Sequence, residues 1–505
     1  MRILIRGARV LTLDPAQPVV PDGAVLVEGD RIVAVDTYEA LRQSPGIERE
    51  YGTDDTWVLP GFVNAHYHHD RTFSMGLPDS PLELWLLRGS GLGVPTPEVE
   101  EEFNYLNTLV SAIQQVRSGV TSTLDMAWPA DHRPVIKAYL DLGLDLIYAP
   151  VLRSQNGYVY GSDEDFLATL PVELRQGVTG QGFGLTGIYK LAEPYFETWA
   201  ELNAEFGDRI QLVIAPDGPE WCSEAELRLA AQRAAADGAC LHLHNTESPL
   251  ERQWALRTRG QTMTEYLAEI GFLGPNVSSG HGVWYNEHDI ELLAAHGVVT
   301  VHNPSSNLRL GNGIAPVSTY MAGGMTVAIG TDGQGLTEQG NFFEEMRLAA
   351  YLQRIPSSVF PLSDPWSRGL PPRTVFEMAT VNGAKAFGRE NIGRLKPGYR
   401  ADLVLLNAKR MATPYLWPGH DPYAAVLQKA QPDHIDMVMS RGRVLLDAGR
   451  IVTVDETQVT KKLQSLYETI WKNPDEQRLS LLRELEPFFF QFFKSWQEQP
   501  TPMRW

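Results

Sequence analysis

Two histidines stand where a divalent metal ion could be bound. His66 and His68 follow the apolar segment 61–65, in the run Gly-Phe-Val-Asn-Ala-His-Tyr-His. If this segment is a strand, both imidazoles point to the same side, because side chains alternate along a strand with a period of two. Two neutral imidazoles could then bind a divalent metal at about 2.0–2.1 Å. Such a pair also occurs among packed or surface histidines, so this interpretation requires further ligands.

Three more residues of the metal-ligand type stand at the ends of other apolar segments. His244, His281 and Asp332 end the fifth, sixth and eighth of eight candidate strands. The carboxyl ends of the strands of a parallel barrel meet at one mouth, where the active sites of this architecture lie. Because four or five such residues at one mouth are difficult to obtain by chance, the sequence predicts a metal-dependent active site there.

The elements that must position these residues lie in the central part of the chain, 58–390. Short apolar runs alternate there with amphipathic stretches, and this alternation predicts an α/β fold, a parallel (β/α)8 or TIM barrel. The candidate strands are residues 61–65, 119–124, 145–149, 210–215, 240–244, 277–280, 297–301 and 325–330.

The two ends of the chain have a different pattern, in which short apolar strands are separated by turns rich in Gly, Pro and Asp. We predict that residues 1–57 and 391–455 form one composite β-sandwich domain beside the barrel. Residues 456–505 are predicted to be a helical extension, with an aromatic cluster at 487–493. We interpret this cluster as packing against the domain or a sister subunit, and a lid over a ligand channel is the alternative.

Charge and cysteine content limit the partners and the compartment. The formal net charge of −19 argues against a general affinity for nucleic acid or anionic membranes. The sequence has no run of about 18 apolar residues, so no transmembrane helix is predicted. The two cysteines, Cys222 and Cys240, cannot form a disulfide framework for 505 residues, which favours a reducing compartment. We therefore expect a cytoplasmic protein.

Several motifs occur in an order that is typical of a known family. They are residues 60–68, His244-Asn245-Thr246-Glu247, the run 301–308, Gly330-Thr331-Asp332-Gly333 and the run 393–404. Through these motifs the chain closely resembles the amidohydrolase superfamily, over roughly residues 1–455. The similarity is to the branch that contains S-adenosylhomocysteine deaminases, guanine deaminases and triazine hydrolases.

The resemblance implies a single catalytic metal ion. By position in the motifs, its ligands are His66, His68, His244 and Asp332. Zinc is the expected metal and Fe(2+) is the alternative, because nitrogen and oxygen ligands do not discriminate sharply between them. Relatives with two metals use a bridging lysine at the fourth strand. The fourth strand here ends at 214–217 without a lysine, so we predict a mononuclear site.

The resemblance also implies roles in hydrolysis. A bound metal lowers the pKa of its water toward about 7 and so provides hydroxide at neutral pH. Asp332 holds the metal and orients this water or accepts its proton, and His281 resembles the family histidine that polarises the water. Glu247, three residues after His244, resembles the family acid that protonates a ring nitrogen during the attack.

Some positions depart from the family pattern and bear on substrate contacts. His69 stands where relatives usually carry an aliphatic residue, and Asp217 stands where many relatives carry a substrate-contacting histidine. His302 and Trp85 are further candidates for substrate binding, and the segment after Trp85 has no Pro-x-Glu-like element. With acidic loop residues at Glu220 and Glu338, these departures lead to the hypothesis of a polar substrate of amidine or guanidine character, unlike a typical adenosine derivative. A cationic form of this substrate is included in the hypothesis.

The leading functional prediction is an aminohydrolase that releases ammonia from a nitrogen heterocycle or a cyclic amidine or guanidine. Hydrolysis of a cyclic amide or urea, and dechlorination or dealkylamination of a triazine-like ring, are alternatives with the same metal site. A non-enzymatic binding protein on the same barrel is a further alternative, which the complete set of site residues disfavours. The family resemblance also predicts a homodimer or larger homo-oligomer.

Overall fold

A computed structural model describes residues 1–69, 76–91, 97–154, 160, 163–180, 192–337, 339–355, 369–471 and 476–497. Within these ranges, no helix is both long enough and apolar enough to cross a membrane. The structure contains two large β-sheets, one of them the barrel that carries the candidate site, together with helices around and after the barrel.

The strands follow one another along the chain with these bounds: β1 Arg2–Leu11, β2 Val19–Glu28, β3 Arg31–Thr37, β4 Ile47–Tyr51, β5 Thr56–Pro60, β6 Phe62–Asn64, β7 Tyr67–His68, β8 Val120–Ala127, β9 Asp145–Leu152, β10 Gln211–Pro216, β11 Cys240–Asn245, β12 Val277–His281, β13 Val299–His302, β14 Thr326–Ile329, β15 Asp332–Gly333, β16 Leu403–Asn407, β17 Ile435–Ser440, β18 Arg443–Asp447 and β19 Arg450–Ile451.

The helices have these bounds: α1 Tyr38–Leu41, α2 Leu82–Gly91, α3 Pro97–Arg117, α4 Arg133–Leu142, α5 Asp163–Ala168, α6 Val172–Gly180, α7 Ala192–Phe206, α8 Glu224–Asp237, α9 Pro249–Arg259, α10 Met263–Glu269, α11 Glu287–His296, α12 Pro304–Arg309, α13 Val317–Ala322, α14 Phe342–Leu352, α15 Pro372–Met378, α16 Val381–Lys385, α17 Ala408–Met411, α18 Pro422–Lys429, α19 Glu456–Trp471 and α20 Glu476–Gln497.

The barrel is an eight-stranded parallel sheet with the strand order β14-β13-β12-β11-β10-β9-β8-β6. Alternate residues of its strands point into the lumen, where Leu124, Val213 and Val301 belong to one buried cluster. Residues of the opposite parity, such as Leu212 and Leu243, pack in the core that the helices share. Each of the eight candidate strands overlaps one strand of this sheet, and the predicted TIM barrel is confirmed.

The barrel closes between its first and last strands. The backbone NH of Ala65 donates to the carbonyl of Ile329 at 3.1 Å. Just beyond this point, β7 and β15 pair in parallel, with Asp332 opposite Tyr67. Closure therefore places the end of the first strand, with its two histidines, directly beside the aspartate that follows the eighth strand.

The second sheet combines strands from both ends of the chain, in the order β19-β18-β17-β16-β5-β1-β2-β3, with β4 paired to β1. One buried cluster contains Ile3 and Val25 from the N-terminal part together with Leu403 and Met437 from the C-terminal part. The predicted β-sandwich is thus a single hydrogen-bonded sheet whose two ends enclose a common core. The exact boundaries at residues 57 and 391 stay a prediction.

A buried ion cluster joins this sheet to the barrel. Asp145, at the start of β9, accepts hydrogen bonds from Arg400 at 2.8 Å, from the Ser122 hydroxyl at 2.9 Å and from Arg389. Burial alone would raise the pKa of Asp145, but the charges of Arg389 and Arg400 outweigh burial and hold that pKa below its ordinary value. Asp145 is therefore ionised and pairs with two guanidinium groups between the two sheets, one of which, Arg400, also pairs with Asp402 at 2.6 Å.

The predicted helical extension consists of α19 and α20. The side chain of Arg88 in α2 makes two hydrogen bonds to Glu486 of α20, at 2.8 and 3.0 Å. Phe489 and Phe493 are buried, and the ring of Phe489 contacts that of Phe166 edge to face at 5.5 Å between centroids. The aromatic cluster thus packs against the barrel's own helices, as the first interpretation of the sequence expects.

We expect the substitution Asp145→Asn to lower the free energy of unfolding by about 3 kcal/mol, because the largely buried guanidinium of Arg389 loses its carboxylate partner and that of Arg400 keeps only Asp402. Urea unfolding followed by tryptophan fluorescence measures this loss. The matched control is Asp208→Asn, whose ion pair with Arg209 is exposed and should change stability by less than about 1 kcal/mol. Equal effects of the two variants would contradict the assigned role of Asp145.

Candidate metal centre

Three imidazoles and one carboxylate converge at the mouth of the barrel. The Nε2 atoms of His68 and His244 lie 3.2 Å apart. The Oδ1 atom of Asp332 lies 3.5 Å from Nε2 of His66 and 3.3 Å from Nε2 of His68. All four side chains are buried. We call these four residues the candidate metal centre.

The donor atoms of this centre suit a divalent cation. Nε2 of His66 is fully buried and has no hydrogen-bond partner among the described residues. Ligand atoms of His66, His68 and Asp332 lie within 4.8 Å of one another, and so do those of His66, His244 and His281. An unpaired buried nitrogen that faces two further nitrogens and a carboxylate is an arrangement that a metal ion satisfies.

The opposite edges of two imidazoles are fixed by backbone carbonyls. The Nδ1 atom of His68 lies 2.6 Å from the carbonyl oxygen of Met126, and Nδ1 of His244 lies 2.6 Å from that of Asp217. Each contact requires a proton on Nδ1. The lone pair of Nε2 is thereby directed into the centre, as in histidines that bind a metal.

A third histidine orients His66. The Nδ1 atom of His66 lies 2.8 Å from Nε2 of His242, whose own Nδ1 lies 2.8 Å from the hydroxyl oxygen of Ser278. His242 points into the lumen because it lies two residues from both Cys240 and His244 along β11 and so shares their face of the strand. Burial lowers the pKa of His242 well below its ordinary value, so this chain of contacts is uncharged.

The strand ends that carry the site have an unusual backbone. Thr246, His281 and Asp332 have positive φ angles of 52°, 69° and 59°. Each such residue costs of order 1–3 kcal/mol, and conformations of this kind concentrate at functional sites. Gly330 permits the close approach of the chains, since a Cβ atom there would lie 2.7 Å from the carbonyl oxygen of His66.

The charges of the centre favour an ionised Asp332. Burial alone would raise the pKa of Asp332, but His281, His66 and His68 outweigh it and lower that pKa well below its ordinary value. Burial alone would lower the pKa of His68, but Asp332 and the carbonyl of Met126 raise it to about 9. Binding of a cation at Nε2 of His68 therefore requires release of a proton.

Glu247 and His281 lie beside the centre. The Oε2 atom of Glu247 lies 3.4 Å from Nε2 of His281, which lies 3.7 Å from Oδ2 of Asp332. Asn312 donates to Oε1 of Glu247 at 2.8 Å, and Nδ1 of His281 lies 2.9 Å from Oδ1 of Asn307. The side-chain amides of Asn312 and Asn307 thus orient the Glu247 carboxyl and the His281 imidazole. Both groups lie beside the carboxylate of Asp332.

The protonation states of this pair follow from burial. Burial, with the nearby charges of Asp332 and Glu251, raises the pKa of Glu247 well above its ordinary value. Burial lowers the pKa of His281 to about 4, although Asp332 opposes this shift. Burial therefore favours a neutral imidazole at His281 and the protonated carboxylic acid at Glu247, a form that can donate a proton.

The family is decided by a match that covers most of the chain. Residues 57–445 match the model of the amidohydrolase family. The chain belongs to the amidohydrolase family. A second, short match at residues 23–44 is to an imidazolonepropionase-like composite domain of bacteria.

Named relatives of this amidohydrolase are deaminases. The 5'-deoxyadenosine deaminase of Methanothermobacter thermautotrophicus is 32% identical over 460 residues, which are 90% of this chain and 96% of that protein. The 5-methylthioadenosine/S-adenosylhomocysteine deaminase of Pelotomaculum thermopropionicum is 29% identical over 463 residues, with 92% and 97% coverage. An adenosine deaminase of Xanthomonas campestris, solved with bound zinc, has a TM-score of 0.77 at 24% identity and covers 93% of this chain and 99% of its own.

These findings confirm the family resemblance and the predicted enzyme class. The amidohydrolase is a hydrolase that acts on carbon–nitrogen bonds in cyclic compounds. The alternative of a non-enzymatic binding protein is not supported.

Asp217 does not offer a free negative charge to a substrate of this amidohydrolase. Its Oδ2 accepts a hydrogen bond from Arg153 at 3.0 Å, and its Oδ1 lies 3.2 Å from Nδ1 of His244. Burial raises the pKa of Glu220 well above its ordinary value, which favours the neutral acid there. Glu338 lies outside the described residues. The contacts of Asp217 and the raised pKa of Glu220 therefore do not add support for a cationic substrate, whose charge stays a prediction.

The remaining predicted substrate contacts lie around the centre. Nδ1 of His69 is 2.6 Å from Oδ2 of Asp125, so this ring is held by a buried carboxylate. His302 is buried and outside the centre, with neither ring nitrogen bonded within the described part of the chain. Trp85 is half-buried and packs against Leu82 and its neighbours. Substrate contact by these three residues stays a prediction.

The sequence analysis missed a buried acid in α2. Glu83 accepts hydrogen bonds from the hydroxyls of Ser248 at 2.6 Å and Tyr160 at 3.0 Å. It lines a cavity of about 760 Å³ whose wall also contains Ser248 and Asn312. The sequence does contain a signal for Glu83. Pro81-Leu82-Glu83 is a Pro-x-Glu element, and it precedes Trp85 instead of following it.

We expect His68→Asn to weaken zinc binding by more than about 100-fold, because it removes one nitrogen ligand from the candidate metal centre. Loss of a residue that only supports a ligand typically weakens metal binding by about 10–100-fold, and loss of a ligand itself should cost more. Competition with a chelating indicator at pH 7 measures the affinity. His302→Asn is the matched control, a buried histidine outside the centre, and should bind zinc like the unchanged protein. Equal affinities of the two variants would contradict the assigned centre.

Proposed function

We propose that this amidohydrolase is a metal-dependent aminohydrolase that removes the exocyclic amino group of an adenosine-type compound and releases ammonia. The observation that carries the proposal is the convergence of Glu247, His281 and Asp332, whose ligand atoms lie within 4.8 Å of one another. Full-length similarity to deaminases of adenosine derivatives supports the substrate class.

The proposed cofactor is one divalent metal ion, held by His66, His68, His244 and Asp332. Zinc is favoured by the nitrogen-rich donor set, and Fe(2+) is the alternative. When bound, the metal would lower the pKa of its water molecule so that hydroxide, the nucleophile, is available at neutral pH. A single ion is supported by the fourth strand, whose end offers Asp217, already paired with Arg153.

Glu247 is proposed as the proton donor to the substrate. Its raised pKa keeps the carboxyl protonated at neutral pH, and Asn312 occupies Oε1 as a donor. The proton therefore resides on Oε2, the atom that faces His281. Transfer of this proton to a ring nitrogen makes the adjacent carbon more electrophilic, and such general acid catalysis typically contributes about 10²–10⁴-fold.

His281 and Asp332 are proposed to control the attacking water. Asn307 fixes the Nδ1 proton of His281, so Nε2 presents a lone pair toward Asp332 and Glu247. The ionised carboxylate of Asp332 also accepts a hydrogen bond from the Ser306 hydroxyl, which fixes its orientation. These two groups can accept the water proton and pass it to the departing amine.

Assembly and location complete the proposal. We infer a homodimer or larger homo-oligomer in the cytoplasm. Tyr415 and Trp417 are 65% and 68% exposed and nearly adjacent, as expected at a contact surface. Cys222 and Cys240 are buried, free thiols, which suits a reducing compartment.

We expect the zinc-loaded protein to release ammonia from 5'-deoxyadenosine or S-adenosylhomocysteine, and Asp332→Ala to abolish the release. A coupled ammonia assay measures the rate, with guanine, a cyclic urea and atrazine in the same panel. Ring opening of the urea, or release of chloride or alkylamine from the triazine, would favour an alternative reaction. No turnover of any compound by zinc-loaded protein would contradict the proposal.

We expect Glu247→Gln to lower kcat by about 10²–10⁴-fold, because glutamine cannot donate the proton. Zinc content should not change, since Glu247 lies outside the candidate metal centre. The matched control, Glu224→Gln, alters an exposed carboxylate at the start of α8 and should retain the kcat of the unchanged protein. Comparable losses in both variants would exclude a specific role of Glu247.

We expect light scattering of the full-length protein to give at least twice the chain mass of 56.3 kDa. Trp417→Ser should shift the particle toward the single-chain mass if this exposed surface is the contact, because the substitution removes apolar area from it. Tyr351→Ser, at a surface residue that is 46% exposed, is the control. A particle of single-chain mass for the unchanged protein would refute the predicted oligomer.

A further inference from the structure

The cavity next to Glu247 has two walls of different origin. Its inner wall contains Glu83, Ser248 and Asn312, and its outer wall contains Phe489 and Phe490 of α20. The helix α20 comprises Glu476–Gln497 and lies outside residues 57–445, which match the family model. One wall thus belongs to the catalytic barrel and the other to the C-terminal extension.

The inner wall leads directly to the proposed proton donor. Asn312, which lines the cavity, donates to Oε1 of Glu247, and Oε2 of the same carboxyl lies 3.4 Å from Nε2 of His281. Ser248, the neighbour of Glu247 in sequence, also lines the cavity. A ligand whose ring is protonated by Glu247 therefore has this cavity beside it.

The outer wall is fixed in place by contacts on both of its sides. Arg88 of α2 makes two hydrogen bonds to Glu486, close to the cavity-lining part of α20. The ring of Phe493 contacts that of Tyr160 at 6.2 Å between centroids, and the hydroxyl of Tyr160 donates to Glu83. Through Tyr160, α20 is thereby connected to Glu83, an acid of the inner wall. The helix therefore forms a fixed wall of the cavity.

The outer wall is chemically suited to an apolar group. Phe489 is buried, whereas Phe490 remains 52% exposed although it lines the cavity. Pro487 extends this apolar surface of α20, and Leu84, Leu250 and Leu310 add apolar surface on the barrel side. Gln491 and Lys494 are polar residues of α20 that also line the cavity. A volume of about 760 Å³ is in the range of about 300–1,000 Å³ that buries a ligand much larger than a single ring, and aromatic walls are typical of such sites.

We propose that α20 determines substrate specificity by contacting an apolar substituent of the substrate. This substituent lies on the side of the substrate away from the reacting C–N bond, and Phe490 is the residue of α20 that mainly contacts it. This inference rests on the proposed deaminase function. It predicts that an aliphatic or thioether substituent gains apolar contact with Phe490, whereas a hydroxyl at that place does not gain this contact. The polar groups of this wall are Gln491 and Lys494, so the preference is expected to depend on Phe490 itself.

The test compares two substrates that share the reacting ring, 5'-deoxy-5'-methylthioadenosine and adenosine. Phe490→Ala should lower the ratio of their kcat/KM values about tenfold, through a higher KM for the methylthio compound. Phe490→Leu should restore most of the ratio, because it replaces one apolar contact by another. The matched control is Tyr351→Ala, an aromatic residue of similar exposure in α14, which should leave the ratio unchanged.

A binding experiment separates this inference from the proposed function. Calorimetry measures the affinity of the full-length, zinc-loaded protein for 5'-deoxy-5'-methylthioinosine and for inosine, which are products and do not react further. If no compound releases ammonia but Phe490→Ala weakens binding of the methylthio product, the function fails and the wall stands. If ammonia is released and Phe490→Ala leaves the substrate ratio unchanged while its Tm is unaltered, the wall is refuted.

Discussion

The candidate metal centre depends on the pairing of the first and last strands of the barrel. The backbone NH groups of Thr331 and Asp332 both donate to the carbonyl of His66, at 3.1 and 3.0 Å. This pairing sets the Asp332 carboxylate against the two histidines of the first strand, and no side chain at Gly330 obstructs the approach. We call this line of contact between the first and last strands the seam. Without closure at the seam, the carboxylate and the imidazoles would lie at opposite edges of an open sheet.

Once the seam is closed, the outer contacts of the imidazoles determine what the centre can bind. Carbonyl oxygens hold His68 and His244, and His242 with Ser278 holds His66. All of these contacts are made on the Nδ1 side, so the Nε2 atoms are left for a cation. The same principle operates beside the centre, where Asn307 and Asn312 orient His281 and Glu247.

The period of the strands made much of this arrangement predictable. Residues at the ends of apolar runs had to meet at one mouth of a parallel barrel, which is why His244 and Asp332 could be assigned from sequence. The partners of Glu247 and Asp217 could not be assigned, since Asn312 and Arg153 approach them from segments that are distant in sequence. Asp217 illustrates the difference, because a carboxylate that looked available for a substrate is neutralised by Arg153.

The aromatic cluster near the C-terminus shows a second limit of sequence reasoning. Its composition predicted packing, and Phe489 and Phe493 do pack, but the neighbouring Phe490 of the same helix faces a cavity. Helical periodicity distinguishes buried from exposed faces, yet it does not reveal what an exposed face borders. The cavity beside Phe490 arises from the packing of α20 against α2, which Arg88 and Glu486 connect, and this packing is not visible in the sequence of α20 alone.

The seam also imposes an order on biosynthesis. The side-chain contact of Asn64 with Thr331 joins positions that are 267 residues apart in the chain. During translation, the two N-terminal histidines leave the ribosome long before the aspartate that completes their site. Contacts of such large separation form late and slowly. The nascent chain therefore carries an incomplete centre for most of its synthesis, and the four side chains come together only when the barrel closes.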